Sequence, residues 1–309
     1  MKALVLGGGG FLGSHLVDAL LSRDHDVRVL DRAAERYRTT PDAVDCRLGD
    51  YADSAVVAEA LHDIDTVYHL ASTTVPSTSN LDPAADIAAN LIPSVRLFEQ
   101  MVRLNVPRVV FLSSGGTVYG NPERVPVSVE HPVGPRCSYG VVKLATEHYL
   151  SMFHELYGLT PIILRASNPY GPRQGHLGVQ GAIATFLDRL SKGEPIQVWG
   201  DEQVIRDYLY VTDLARLCVI AGESTRDGTY NAGSGIGCSL TAVLKAVEEV
   251  TGRQAEVHFG TSRSLDVDRI VLDISATEST FQWRPEVDLR EGIALHWDWL
   301  QKSRHGLGA

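Results

Sequence analysis

Lys2 to Leu6 is a short apolar run that reads as a buried parallel strand, and Gly7-Gly8-Gly9-Gly10-Phe11-Leu12-Gly13 follows it before a helical pattern to about Leu21. Strand, glycine turn and helix in this order constrain the chain more than any other stretch. Gly7, Gly10 and Gly13 have a G-x-x-G-x-x-G spacing, which permits a tight turn, close backbone approach to a pyrophosphate and close packing of helix on strand. Gly7, Gly10, Phe11 and Leu12 are therefore the expected dinucleotide contacts at this turn.

Val27 to Leu30 reads as a second strand ending in Asp31, where an acidic side chain can hydrogen-bond the adenosine ribose hydroxyls. A carboxylate repels a 2′-phosphate, so Asp31 favours NAD over NADP, although the neighbouring Arg32 is a group that accepts such a phosphate. Val44 to Leu48 is a third strand. It leads to Asp50 and Tyr51, where Asp50 either accepts from an adenine amino group or caps a helix from Ala52 to Leu61. Thr66 to His69 brings Leu70, Ala71 and Ser72 to a strand's carboxyl end, which in an open parallel sheet is the ligand crevice. A helix from Pro83 to Leu104, interrupted near Pro93, precedes a fifth strand, Arg108 to Leu112, that runs into Ser113-Ser114-Gly115-Gly116-Thr117-Val118-Tyr119-Gly120. The clustered hydroxyls there are turn formers or substrate contacts.

An amphipathic run from Ser138 to about Tyr157 opens with Tyr139-Gly140-Val141-Val142-Lys143. On a helix this spacing puts phenol and ammonium on one face, one turn apart. A nearby ammonium stabilises phenolate, so Tyr139 is expected to titrate below its ordinary value of roughly 10 and to serve as a base. Pro161 to Leu164 is a sixth strand. After it come helices at Ala182 to Leu190, Thr212 to Ala221, Ser239 to Val250 and Leu289 to Leu300, with a short strand at Ile196 to Val198. The expected fold class is α/β, a Rossmann-type doubly wound parallel sheet over residues 1–167. A smaller C-terminal substrate-binding lobe fills 168–309, with some of its segments returning to the first domain.

The net charge of −10 argues against a nucleic-acid or anionic-membrane surface. Cys46, Cys137, Cys218 and Cys238 have neither metal-like spacing nor the density of a disulfide framework, and no metal is expected. No run approaches a membrane span and the apolar start is too short for a signal peptide, so a cytoplasmic protein is expected.

With the glycine turn, Asp31 and the Tyr139/Lys143 pair in this order, the chain resembles the extended short-chain dehydrogenase/reductase family, specifically its nucleotide-sugar epimerases and dehydratases. Gly49-Asp50, His69-Leu70-Ala71, Asn90, Ser113-Ser114, Val118-Tyr119-Gly120, Asn168-Pro169-Tyr170-Gly171-Pro172, Arg206-Asp207-Tyr208 and Arg263 with Asp266 all stand where that family places its motifs. The resemblance implies that Tyr139 is the general base and that Lys143 binds the nicotinamide ribose. It places Leu70, Ala71 and Ser113 along the dinucleotide and Asn90 beneath it. Asn168 would then reach a sugar diphosphate, Arg206 and Arg263 would pair with its phosphates, and Asp266 would hold the nucleotide end. Guanidinium forks match phosphate oxygens. Arg173 is expected near a substrate carboxylate, at a phosphate, or as a helix cap.

One position departs from the family. A Ser or Thr usually stands four residues before the tyrosine of Val-Tyr-Gly, and here that residue is Gly115; Thr117, or Ser114, is expected to supply the hydroxyl. Relatives that eliminate water carry an Asp-Glu pair where this chain has Gly116-Thr117, while Thr before Val-Tyr-Gly resembles the 4-epimerases. The resemblance therefore implies a UDP-hexose 4-epimerase with bound NAD that works through a transient 4-keto sugar. A 4-ketoreductase of the same fold and a non-catalytic dinucleotide-binding regulator are the alternatives. It also implies a homodimer through the Pro83 to Leu104 and Ser138 to Tyr157 helices, with Leu97, Met101, Met152 and Phe153 as apolar bulk, unless those residues cover the sheet.

Overall fold

The computed structural model describes residues 1–175, 181–199, 204–260 and 267–306. β1 (Lys2–Leu6), α1 (Phe11–Leu21), β2 (Asp26–Asp31), β3 (Val44–Leu48), α2 (Ser54–Ala60) and β4 (Thr66–His69) open the chain. A helical run follows, made of α3 (Pro83–Asp86), a π turn (Ile87–Leu91) and α4 (Ile92–Arg103), then β5 (Arg108–Ser114), α5 (Ser138–Tyr157) and β6 (Thr160–Ala166). These strands, joined by β10 (Gly228–Ala232), form one parallel sheet in the order β10-β6-β5-β4-β1-β2-β3. Leu6 pairs with Leu30 on one side and His69 on the other. The glycine turn, Asp31 and Leu70 therefore emerge side by side, where the strand order reverses and a crevice must open.

Alternate residues of each strand serve opposite layers, so the strands read as continuous apolar runs. Ala3 and Val5 pack with Leu16 and Leu20 of α1, whereas Leu4 and Leu6 pack with Leu97, Phe98 and Met101 of α4 and Leu150 and Phe153 of α5. Each such large side chain contributes about 1.5–3 kcal/mol by leaving water. Leu97, Met101 and Phe153 are thus spent on the sheet, which corrects their assignment to a dimer contact; of the four, only Met152 is exposed.

The interruption near Pro93 takes the form of the π turn. Proline has no N–H to give the Ala89 carbonyl, and that carbonyl accepts instead from the Tyr51 hydroxyl at 2.9 Å. The next carbonyl, Asn90, accepts from Ser94 Oγ at 2.6 Å. α5 begins with its Ser138 N–H on Asn80 Oδ1 (2.8 Å) and stops at Gly158, whose φ of 71° lets its N–H close on the His154 carbonyl at 3.0 Å.

Beyond β6 the chain builds a second layer. β7 (Asn168–Tyr170), β9 (Ile205–Tyr210) and β11 (Gly237–Ser239) form a three-stranded sheet, and β8 (Ile196–Trp199) pairs with β12 (Val257–Gly260). α6 (Ala182–Lys192), α8 (Leu240–Thr251) and α10 (Leu289–Gly306) enclose a separate core around Ile183, Phe186, Leu187, Val243, Val247 and Ile293. α7 (Val211–Glu223) instead packs on α1, and α9 (Ser275–Phe281) packs beside β10 on the main sheet.

Candidate active site

At the crevice, a Cβ on Gly13 would fall on the Gly7 carbonyl oxygen, and Gly7 itself has φ of 84°. Only glycine fits both positions. Gly10 starts α1 without a side-chain cap, which leaves the first-turn N–H groups of Phe11 and Leu12 without helical acceptors and free for an anion. A cleft of about 220 Å³ runs from here, walled by Gly7, Gly10, Asp31, Arg32, Tyr51, Leu70 and Ala71. The Asp31 carboxylate sits in it, accepting from Gly9 N–H at 2.9 Å. Glycines that admit backbone approach, unpaired N–H groups and a carboxylate in one cleft fit a dinucleotide such as NAD.

Two residues expected along this cleft, Asp50 and Ser113, are not among those that wall it. Asp50 is exposed and accepts from Ala52 N–H at 2.9 Å, while the cap of α2 is Asp53, which accepts from Ala55 and Val56. Ser113 is buried beneath the site, its hydroxyl donating to Glu147. Glu147 pairs with Arg165 at 2.7 Å, Arg165 donates to the Tyr119 hydroxyl at 3.1 Å, and Tyr119 donates to Asn231 at 2.7 Å. A buried carboxylate needs every donor within reach, and Ser113 is one of them.

A smaller cavity adjoins the cleft, sharing Ala71 and Ser72 with it and bordered by Tyr139, Lys143, Asp86, Asn90 and His69. Tyr139 and Lys143 lie one turn apart on α5, as the spacing requires. Lys143 Nζ, however, donates to the Leu112 carbonyl at 2.8 Å and stands 5.6 Å from the centre of the Tyr139 ring. Burial lowers Lys143 to about 8, against the supporting charges of Glu147 and Asp86. Tyr139 shifts opposite to the expectation: burial first, then Cys137 and Asp86, raise its pKa. The ammonium is turned to the Leu112 carbonyl, and the causes that shift Tyr139 all oppose phenolate. His69 is lowered to about 3 by burial and by Lys143, and is neutral. Since Ser94 Oγ donates to Asn90, His69 Nε2 must donate to Ser94 (2.8 Å), leaving Nδ1 as a buried lone pair.

Asn90 pins the loop after β4. Its Oδ1 accepts from Thr73 N–H at 2.8 Å, and its Nδ2 faces Thr73, Thr74 and Asp86. Asp86 is fully buried at this junction and was not read as a site residue. The signal was present, since Asp86 and Asn90 are four residues apart on one helical face.

Thr117 packs on the first turn of α5, because a Cβ on Gly140 would meet Thr117 Cβ at 3.2 Å. Its hydroxyl is buried without a hydrogen-bond partner among the described residues. At Gly115 a Cβ would lie 2.7 Å from Leu272 Cδ1 and 3.0 Å from the Arg165 carbonyl, so no serine can stand there as the structure is packed.

Asn168 and Arg206 line one pocket of about 180 Å³ with Tyr170, Ile183 and Tyr208. Asn168 Nδ2 donates to the Asp207 carbonyl at 2.9 Å, and Arg206 to the carbonyls of Ile205 (3.0 Å) and Asp268 (3.3 Å). The Asp207 carboxylate is turned inward, accepting from Ser234, Gly235 and Leu272. Arg173 is not on this pocket. It pairs with Asp18 (2.6 Å) and Glu35 (3.5 Å) and donates to His15 Nδ1 (2.9 Å), tying the β7 loop to α1, apart from the pocket that Asn168 and Arg206 line. Burial, then the Arg173 charge, lowers His15 to about 4. Arg263 and Asp266 lie outside the described residues.

Residues 3–233 match the model of the NAD dependent epimerase/dehydratase family. The chain is 34% identical over 302 residues to the UDP-glucose 4-epimerase of Mycolicibacterium smegmatis, covering 95% of this chain and 96% of that one. Two solved structures overlay it closely. A UDP-glucose 4-epimerase from Thermotoga maritima, determined with UDP-glucose, has a TM-score of 0.94 at 33% identity over 98% of this chain and 100% of the other. The UDP-glucose 4-epimerase of Thermus thermophilus, in complex with NAD, has a TM-score of 0.91 at 37% identity over 97% and 99%.

Proposed function

The chain belongs to the NAD dependent epimerase/dehydratase family, and from that premise we propose that it is a cytoplasmic UDP-hexose 4-epimerase, with Tyr139 as its proton acceptor. The observation that carries this is the Tyr139/Lys143 cavity opening into the glycine-walled cleft. The Asn168/Arg206 pocket starts from the carboxyl edge of the same sheet, where β6 passes into β7.

Bound NAD supplies reversible hydride acceptance from the sugar C4. The chain's own residues do the rest. Asn168 and Arg206, with Arg263, hold the UDP diphosphate and Asp266 the nucleotide end, so the hexose can turn about a fixed anchor. Thr117, whose hydroxyl has no partner among the described residues, takes the reacting sugar oxygen into a hydrogen bond. Tyr139 is a phenol at rest. It becomes a base when Lys143 releases the Leu112 carbonyl and brings its ammonium to the tyrosine oxygen, an electrostatic gain enlarged by the dry surroundings. The proton it takes from the 4-hydroxyl is returned after the sugar presents its other face, so no net oxidation results.

A homodimer through α4 and α5 accompanies this reading. It rests on the outward apolar residues Ile87, Ile92, Val141, Met152 and Leu156 rather than on the buried ones. Sedimentation equilibrium that found only monomer would remove it.

Incubating the protein with UDP-glucose, UDP-N-acetylglucosamine and UDP-glucuronate separately, without added cofactor, and following the sugars by proton NMR tests the function. The galacto isomer of one of them is the expected product. Tyr139→Phe should lower the rate by about 10²–10⁴-fold, as expected for loss of a general base, while the dinucleotide released on denaturation stays at the parental amount. Undiminished turnover in Tyr139→Phe, or net consumption of NADH by the parent, overturns the assignment.

A further inference from the structure

Asp86 has no solvent exposure and no ion pair among the described residues. Its oxygens are satisfied by neutral donors from three different elements. Thr74 Oγ1, in the loop after β4, donates at 2.7 Å, and Asn90 Nδ2, in the π turn, at 2.8 Å. Ser138 Oγ, the first residue of α5, donates to the other oxygen at 2.7 Å. Leaving a carboxylate buried without a cation is costly, but the donors stand on both of its oxygens and so need an acceptor at each, which an amide of the same shape lacks. All three donors adjoin the proposed chemistry: Thr74 follows the cleft residues Ser72 and Thr73, Asn90 pins that loop, and Ser138 precedes Tyr139.

We propose that Asp86 is a positioning residue for the reacting tyrosine: its carboxylate gathers the loop after β4, the π turn and the first turn of α5, and so fixes where the Tyr139 hydroxyl stands against the dinucleotide cleft. This rests on the reading of Tyr139 as proton acceptor. The charge itself has a second effect. Lys143 faces Glu147 and Asp86, which both favour its ammonium, and the neutral His69; Tyr139 faces Cys137 and Asp86, which both oppose phenolate. Without the Asp86 charge Lys143 holds its proton less tightly and becomes neutral at a lower pH, removing the cation on which phenolate depends.

The test compares the parent with Asp86→Asn and Ser138→Ala, using whichever of the three UDP-hexoses the parent converts. Asp86→Asn should lower kcat by about 10- to 100-fold, the scale of a small misplacement of a reacting group, with KM nearly unchanged because the Asn168/Arg206 pocket is untouched. Its alkaline limb should move to lower pH. Ser138→Ala, which keeps the charge and cuts one link, should lower kcat without moving that limb. Parental kcat and pH profile in both variants overturn the proposal, and if Asp86→Asn does not fold, Ser138→Ala decides. The ¹³C resonance of the Tyr139 ring Cζ, assigned by its loss in Tyr139→Phe, gives a reading independent of turnover. It should shift in both variants, and an unchanged resonance in both likewise overturns the role of Asp86. A parent that converts no sugar defeats the functional reading alone, with the resonance still deciding Asp86.

Discussion

At Gly115 the absence of a side chain is imposed from a distant part of the chain. Leu272 fills the space, its side chain fully buried and its backbone held by a bridge to Val127 and by its N–H on Asp207 at 3.2 Å. Restoring the family's hydroxyl with Gly115→Ser should therefore destabilise the fold by about 1–3 kcal/mol, the usual cost of overpacking, and should not raise activity. Urea unfolding measures it, and adding Leu272→Ala should recover part of the loss, since the two sites share one volume. A silent Gly115→Ser would show that the space is free. The motif spacing pointed to the hydroxyl-rich strand end, but why one residue in it is glycine depends on a contact between distant segments, which no local pattern carries. Arg173 teaches the same lesson: its position in a motif says nothing about Asp18, Glu35 and His15, which capture its charge.

Among the elements, the helical run from α3 to α4 shows best where sequence reading stops. Pro93 announces an interruption. The form it takes is a π turn, closed by the Ile92 N–H on the Ile87 carbonyl, and the Ala89 carbonyl that proline leaves unpaired is met by Tyr51, a residue of the β3–α2 connection. Such π insertions concentrate at functional sites, and this one presents Asn90 to the loop after β4. Tyr51→Phe should destabilise by about 1–3 kcal/mol by stranding that carbonyl. In Pro93→Ala the helix can supply the missing N–H, so Tyr51→Phe should cost less there. A double-mutant cycle by urea unfolding reads the difference; equal costs in the two backgrounds would mean that Tyr51 and Pro93 act independently. Helices with strong periodicity, such as α5, were legible to the residue, because apolar spacing and a terminal glycine mark both ends.

For the whole molecule, the parallel sheet was readable from its apolar strands β1 to β6, and the second layer much less so. β10 is the instructive case. Its sequence, Gly-Thr-Tyr-Asn-Ala, looks like a surface turn, yet Asn231 is fully buried, its amide donating to the Val127 and Asp273 carbonyls and its oxygen accepting from Tyr119. A polar residue reads as core only once its partners are known. The outer face of α5 bears on assembly: Val141, Met152 and Leu156 share one exposed stripe, 52%, 38% and 64% accessible. Placing glutamate at both Met152 and Leu156 should convert a sedimenting dimer to monomer while leaving the circular dichroism of the fold intact; dimers that survive both charges would place the contact elsewhere.

β10 also sets a condition on how the protein is made. It is the neighbour of β6 in the finished sheet, but the segments β7 to α7 are synthesised between the two. On a ribosome adding about 5–20 residues per second, the nascent chain therefore carries β6 with an unpaired edge for several seconds. During that interval the strand can pair with a neighbouring nascent chain, so expression yield should be more sensitive to crowding of polysomes and to chaperone supply than the stability of the finished fold suggests.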